Sequence, residues 1–264
     1  MADKRATRKT RTDVFAPPSP DSVVGQHYYY LTQRPWPSLL FVLPMLLAFE
    51  VGIYVRQDGV PGGGSQLVAA FLIERVITEI GAGRFGYIFP ALALVAILLA
   101  VHLVARHPWK FDLVALPGML GESLIWAIPL LVFNRVLYTA LIAGGAALPN
   151  QWLDQIIRSL GAGLYEELVF RLICIAGLDI LLINIFKFPR SASRVFAVLA
   201  SAALFAAQHH PPLGADPFEL TDFLFRTAAG IYLACLFLFR GFGIAAGCHV
   251  FYNIIVVTTA AAQG

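Results

Sequence analysis

Residues 155 to 183 read QIIRSLGAGLYEELVFRLICIAGLDILLI, an apolar run broken near its centre by two adjacent glutamates and an arginine. A helix rises 1.5 Å per residue and the hydrocarbon of a bilayer is roughly 30 Å thick, so about 20 such residues cross it. This stretch is long enough to do so. Its neighbours repeat the pattern, with apolar runs at 38 to 55, 86 to 105, 119 to 142, 194 to 209, 222 to 239 and 243 to 260. The 264 residues are 58% hydrophobic and 13% charged, with a mean hydropathy of +0.73. An ordinary globular domain has roughly 25% charged residues, so a soluble protein is excluded. The sequence predicts an all-α, multi-spanning transmembrane helical bundle, with seven or eight helices crossing or entering the bilayer. The eighth is 66 to 83, which carries Glu74, Arg75 and Glu79 and reads as a span, an interfacial helix or a re-entrant piece.

Outside the spans the charge is uneven. Residues 1 to 34 hold six Lys/Arg against three Asp, and the remaining basic and acidic residues cancel, so the net +3 sits at the front of the chain. No nucleic-acid partner is expected. Residues 1 to 37 are basic, then Pro-rich and polar, and read as a disordered tail ahead of a transmembrane domain over 38 to 264. The tail serves as a topogenic signal or as an attachment to anionic lipid. It is too long and polar, and the apolar run after it too long, for a cleavable signal peptide. With the tail in the cytoplasm and 66 to 83 not crossing, Arg106, Lys110, Lys187, Arg190, Arg194 and Arg240 all fall inside, while the acidic loop of Asp216, Glu219 and Asp222 falls outside. A crossing at 66 to 83 reverses these sides. The three cysteines, Cys174, Cys235 and Cys248, lie in apolar runs without paired spacing, against a disulfide framework or a zinc ribbon.

Ionisable residues inside a span cost a few kcal/mol on insertion scales and mark buried sites. Three groups qualify. Glu166 and Glu167 are followed by Arg171; on a helix Glu167 and Arg171 are four apart and can pair, while Glu166 is rotated by about 100° and left free. Phe205 and His209 are one turn apart at the end of VFAVLASAALFAAQHH, with Pro211 and Pro212 closing the helix. The neighbouring His210 competes with His209 for any role. His249 and Asn253, again four apart, share a helix face and offer a ring nitrogen and an amide at one place. Each group has a plainer reading: a structural ion pair, a helix-end histidine and an interhelical hydrogen bond.

Together they supply a free carboxylate, a carboxylate held by arginine, two histidines and an amide donor. That set suits hydrolysis. A buried glutamate can act as general base toward water with help from a histidine, and an amide and a histidine can hydrogen-bond a developing oxyanion. Glu166, His209 and His249 equally match the ligand types of a divalent metal such as zinc. The chain lacks H-E-x-x-H and a G-x-S-x-G elbow, and Asp179 is the only aspartate well inside a span, so zincin, serine and aspartyl-dyad chemistries are excluded.

The ordered pattern E-E-x-x-x-R, F-x-x-x-H and H-x-x-x-N resembles the signature of the CPBP family of intramembrane endopeptidases, which includes the type II CAAX prenyl endopeptidases. All seven positions are matched, by Glu166, Glu167, Arg171, Phe205, His209, His249 and Asn253, and the resemblance covers about 120 to 260. Leu172 stands where the family often has glycine after the arginine. The resemblance implies an intramembrane site that cuts a peptide bond of a membrane-associated peptide or protein, prenylated or C-terminally anchored. It implies Glu166 as the base that activates water with help from His209. His249 and Asn253 would stabilise the oxyanion, with Glu167, Arg171 and Phe205 in support. Its glutamate mechanism needs no cofactor, although the family was also described as metal-dependent. The competing reading is a non-catalytic membrane scaffold or immunity protein of the same fold.

One geometric condition follows. Glu166 and His209 count from the same membrane face, but His249 lies only a few residues past the Arg240-Gly-Phe-Gly243 turn at the other face, about 10 to 15 Å deep at 1.5 Å per residue. A shared site therefore requires tilted helices or a buried turn.

Overall fold

The computed structural model describes residues 24–56, 68, 69, 79, 89–141, 152–214 and 216–262. Among these the chain is helical without strands, in eight helices: α1 (Val24–Thr32), α2 (Pro35–Arg56), α3 (Phe89–Val104), α4 (Ala115–Leu141), α5 (Trp152–Ile185), α6 (Arg190–Ala207), α7 (Leu220–Arg240) and α8 (Phe242–Ala261). Six of them, all but α1 and α3, are long and apolar enough to cross a bilayer, and α3 is a shorter apolar helix. Most of the segment 66 to 83 lies outside the described residues.

The chain's chemistry explains several boundaries. Pro35 opens α2, where its missing N–H costs nothing and its fixed φ suits the first turn. Pro44 and Pro129 lie inside α2 and α4, tolerated where neighbouring helices shield the freed backbone groups. Gly241 separates α7 from α8 at φ +83°, a left-handed conformation that side chains disfavour. One residue thus reverses the chain.

The faces are distributed as a bilayer demands. On α6 the apolar Val195, Phe196, Leu199 and Leu204 are exposed while Ser193 and Ser201 are buried. On α4, Ile125, Ile128, Val132 and Val136 are exposed. Large apolar surface outside and polar groups inside is the reverse of a water-soluble bundle. The protein is an integral, multi-pass membrane protein.

The centre of the bundle is α8, which packs on α2, α4, α5 and α7. Residues 242 to 250 along it are all buried, and small side chains such as Ala245 and Ala246 let neighbouring backbones close in. The end of α7 is held against α1 and the residue that follows it. Tyr29 Oη and Gln33 Nε2 donate to the Phe239 carbonyl at 2.9 and 2.7 Å. Arg240 donates to Glu122 on α4 at 2.5 and 2.7 Å, to Thr32 Oγ1 at 2.9 Å and to the Tyr29 carbonyl at 3.2 Å.

Two expectations are thereby corrected. Residues 24 to 37, assigned above to a disordered tail, are largely helical because Tyr28, Tyr29, Thr32 and Gln33 find partners on α4 and the α7–α8 turn; residues 1 to 23 lie outside the described residues. Arg240, counted above as a topogenic loop charge, is buried and ion-paired. The ring of Trp36 in the first turn of α2 lies 5.1 Å from that of Trp109, just past α3. These packed helices are therefore antiparallel, and Arg56 and Phe89 lie at one face of the bundle.

Candidate active site

Glu166 and Glu167 straddle a change of winding inside α5. Residues Trp152–Glu166 are α-helical and Glu167–Ile175 are π-helical, with Glu166 itself at ordinary helical angles. A π-helical segment hydrogen-bonds one residue further than an α-helix and is often found at functional positions. Here the two carboxylates part company. Glu167 turns to Arg171, whose Nε is 3.2 Å from Glu167 Oε2, and neither side chain has any exposed surface. Arg171 also donates to the Gly230 carbonyl on α7 at 3.4 Å and lies over the Phe205 ring at 4.3 Å. A buried guanidinium is tolerable only with such compensation.

Glu167 has a second partner on α8. His249 Nδ1 lies 2.9 Å from Glu167 Oε1, and since a carboxylate only accepts, the ring donates there. Its other nitrogen, Nε2, lies 3.7 Å from Glu166 Oε2. This approach depends on Gly163, three residues before Glu166. A Cβ there would meet Val250 Cγ2 and stand 2.8 Å from the Val250 backbone nitrogen, so α5 and α8 touch beside His249 only because position 163 has no side chain.

His209 approaches from α6 by the same logic. Its Nδ1 is 2.9 Å from the Phe205 carbonyl one turn earlier, which can only accept, so Nδ1 is the donor and Nε2 is left facing Glu166 Oε1 at 3.8 Å. Burial holds this histidine below its ordinary pKa, outweighing the opposite pull of Glu166, and the ring is neutral near pH 7. Phe205 fixes both rings, edge-on to His209 at 5.3 Å and to His249 at 5.8 Å. His210 points away from Glu166: its Nδ1 donates to the Asp216 carbonyl at 3.2 Å and its ring packs on Phe218.

These groups line a cavity of about 290 Å³ between α4, α5, α6, α7 and α8. Glu166, Phe205, His209, His249 and Asn253 all face it; Glu167 and Arg171 stand behind. Asn134 on α4, which donates to Tyr252 Oη at 2.6 Å, and Arg226 on α7 also line the cavity. These, with Gly163, were not singled out in the sequence. Arg226 could have been, since it is an ionisable residue inside the apolar run 222 to 239. Among the described residues, no three His, Cys, Asp or Glu side chains are arranged to hold a metal ion.

The geometric condition is met through a buried turn. Arg240 and Phe242 flank Gly241 at 6% and 4% exposure, and a Cβ on Gly241 would press on the Gln33 backbone. His249 thus begins its count from well inside the bundle and reaches Glu166.

Three motifs from three helices converge on one carboxylate, in the order read from the sequence. Residues 148–255 match a family model described as Rce1-like, Type II CAAX prenyl endopeptidase Rce1-like. That stretch is similar to an Rce1-like domain. It contains all seven motif residues and runs from just before α5 into α8, leaving α1 to α4 outside the match. No curated protein and no solved structure matches the chain.

Proposed function

We propose that the protein is an intramembrane endopeptidase in which Glu166 activates the water that attacks a peptide bond of a membrane-associated substrate, prenylated or otherwise anchored. The observation that carries this reading is the placement of Glu166 with both carboxylate oxygens 3.7 to 3.8 Å from a histidine Nε2, on the wall of a cavity inside the bundle. Those separations are too long for direct hydrogen bonds and suit a bridging water. Both Nδ1 atoms are already donating, so in neutral rings the two Nε2 lone pairs and the carboxylate form a cluster of acceptors. Such a cluster attracts a donor, and water brings two O–H groups.

In the reaction Glu166 takes a proton from that water as its oxygen bonds to the scissile carbonyl carbon, with His209 orienting the second O–H. The carbonyl oxygen becomes an oxyanion. Asn253 donates its amide N–H there, and His249, held at Nδ1 by Glu167, turns Nε2 toward the same place and donates from it when doubly protonated. As the C–N bond breaks, the proton held by Glu166 passes to the leaving nitrogen. Arg171 and Phe205 act by fixing Glu167 and the two rings.

The first residues of the chain lie in the cytoplasm on this reading. Arg106, Lys110, Lys187, Arg190 and Arg194 remain exposed, and with Arg56 and Phe89 at one face they all fall on the side where α2 begins. The test of the enzyme reading is reconstitution in proteoliposomes with a candidate membrane-anchored peptide. Wild type should cleave, while Glu166→Gln and His249→Ala, at equal folded yield, should lose cleavage by about a hundredfold or more. Equal rates in all three proteins would end it.

A further inference from the structure

The helix ends fix the face of the bundle on which the cavity stands. The α7–α8 turn and α1 are tied to the opening turns of α4, where Glu122 accepts from Tyr28 and Arg240, and the start of α2 lies beside the end of α3. The connections α3–α4, α5–α6 and α7–α8 therefore share one face, and the ends of α4, α6 and α8 lie at the other. The cavity belongs to that second face. It is lined by Asn134 in the last third of α4, Ser159 in the opening turns of α5, Arg226 in the second turn of α7 and Val257 in the last turns of α8. His209, 3.8 Å from Glu166, stands just past the last residue of α6. The 18 residues of α6 rise about 27 Å, so the reacting carboxylate is a helix length away from the face where α6 begins.

Charge distinguishes the two faces. Arg106, Lys110, Lys187, Arg190 and Arg194 are exposed in or beside the connections of the first. At the cavity's face, 142 to 151, 208 to 219 and the residues after Ala261 contain no Lys or Arg, and 57 to 88 holds only Arg75 and Arg84. Asp216 and Glu219 are exposed there. Lys and Arg in short loops stay on the cytoplasmic side. We infer that the cavity is entered from the non-cytoplasmic side, so that the substrate is a membrane-anchored chain whose cleaved segment has already been exported. This rests on the reading of Glu166 as the base and on the cytoplasmic placement of the basic connections. A chain anchored in the cytoplasmic leaflet, with its cleavable residues in the cytoplasm, meets the opposite end of the helices. Translocation across the membrane is then the step that supplies the substrate, and cleavage follows it.

The test uses the full chain in spheroplasts of a bacterial host and a membrane-impermeant thiol label. The unsubstituted protein, whose cysteines lie within the helices, gives the background. Glu219→Cys, Lys110→Cys and Arg190→Cys each place a thiol at an exposed position. An accessible thiol reacts and a shielded one hardly does, so Glu219→Cys should label in intact spheroplasts about tenfold or more above background, and the other two only after lysis. The reverse pattern, or equal labelling of all three, overturns the proposal. Access to the cavity itself is read with Ser159→Cys and a small charged thiosulfonate, which should react in intact spheroplasts. Reaction only after lysis, or none, also overturns it. The substrate is tested with one membrane-anchored peptide fused to a reporter in two orientations. Wild type should cleave the exported form and leave the cytoplasmic form intact, and Glu166→Gln should cleave neither. Cleavage of the cytoplasmic form at an equal or higher rate sinks the sidedness and leaves the protease reading in place. If neither form is cleaved while Ser159→Cys still reacts from outside, the side of the cavity stands and the protease reading fails.

Discussion

His249 binds Glu167 through Nδ1 and turns Nε2 to Glu166, so the histidine of α8 connects the two adjacent carboxylates of α5. The two glutamates thus have different tasks despite being neighbours in sequence. Glu166 faces the cavity, whereas Glu167 has no exposed surface and is held between Arg171 and His249.

Glutamine substitutions should separate those tasks. Glu166→Gln is expected to lower the cleavage rate by about a hundredfold or more with little change in the thermal midpoint in detergent. Glu167→Gln leaves Arg171 buried without its counter-charge and should lower stability by about 3 to 5 kcal/mol. Equal midpoints for the two variants would contradict this division.

Gly163 is where a single methyl group should matter. Gly163→Ala places a Cβ 2.8 Å from the Val250 nitrogen and closer still to its side chain, pushing α8 and His249 away from Glu166. Displacing a catalytic group by about 1 Å can cost a hundredfold in rate. Val250→Ala removes the side-chain clash but not the backbone one, so the double variant should recover only part of the loss in a cleavage assay.

The low pKa of His209 sets a direction for pH. As pH falls through the usual histidine range, near 6.5, the unfolded chain takes up a proton at this position while the folded one resists. Stability should therefore decline with acidification in that window, and the decline should be smaller in His209→Asn. Thermal midpoints measured between pH 7.5 and 5.5, a range chosen around that value, decide it; parallel curves for the two proteins would mean that the ring is not held neutral.

The clasp over the chain reversal offers a test far from the cavity. Arg240→Met removes the ion pair to Glu122 and the bonds to Tyr29 and Thr32, leaving a largely buried carboxylate. A loss of about 3 kcal/mol is expected on the scale of broken buried pairs. Glu122→Gln with Arg240→Met should cost less than the sum of the single changes. Strict additivity in a thermal or denaturant series would show that the pair is not coupled.

Cleavage is expected to survive incubation with a strong divalent-metal chelator, because water activation is assigned to Glu166. Loss of activity on chelation, restored by zinc, would move the chemistry to a metal.

Much of this architecture was legible because a bilayer makes spans long and apolar: the run at 119 to 142 became Ala115–Leu141, and that at 38 to 55 became Pro35–Arg56. The converging residues stood out for a related reason, since Glu166, Glu167 and Arg171 are expensive in hydrocarbon. The same filter applied to every span would also have found Glu122 and Arg226. Other features carry no local mark. Residues 24 to 32 have no long apolar run, and their partners lie more than 80 positions away at Glu122 and more than 200 away at Phe239. The π winding at Glu167 has no compositional sign, and Gly163 looks like any small residue until Val250 is beside it.

The cavity wall lies only partly within the matched stretch. Glu166, His209 and His249 lie within the Rce1-like stretch, but Leu130 and Asn134, which face them from α4, lie before its first residue. On the proposed reading α4 is the jaw that sizes what reaches the cutting edge, and changing Leu130 or Asn134 should alter which peptides are accepted while the carboxylate and its two histidines stay in place.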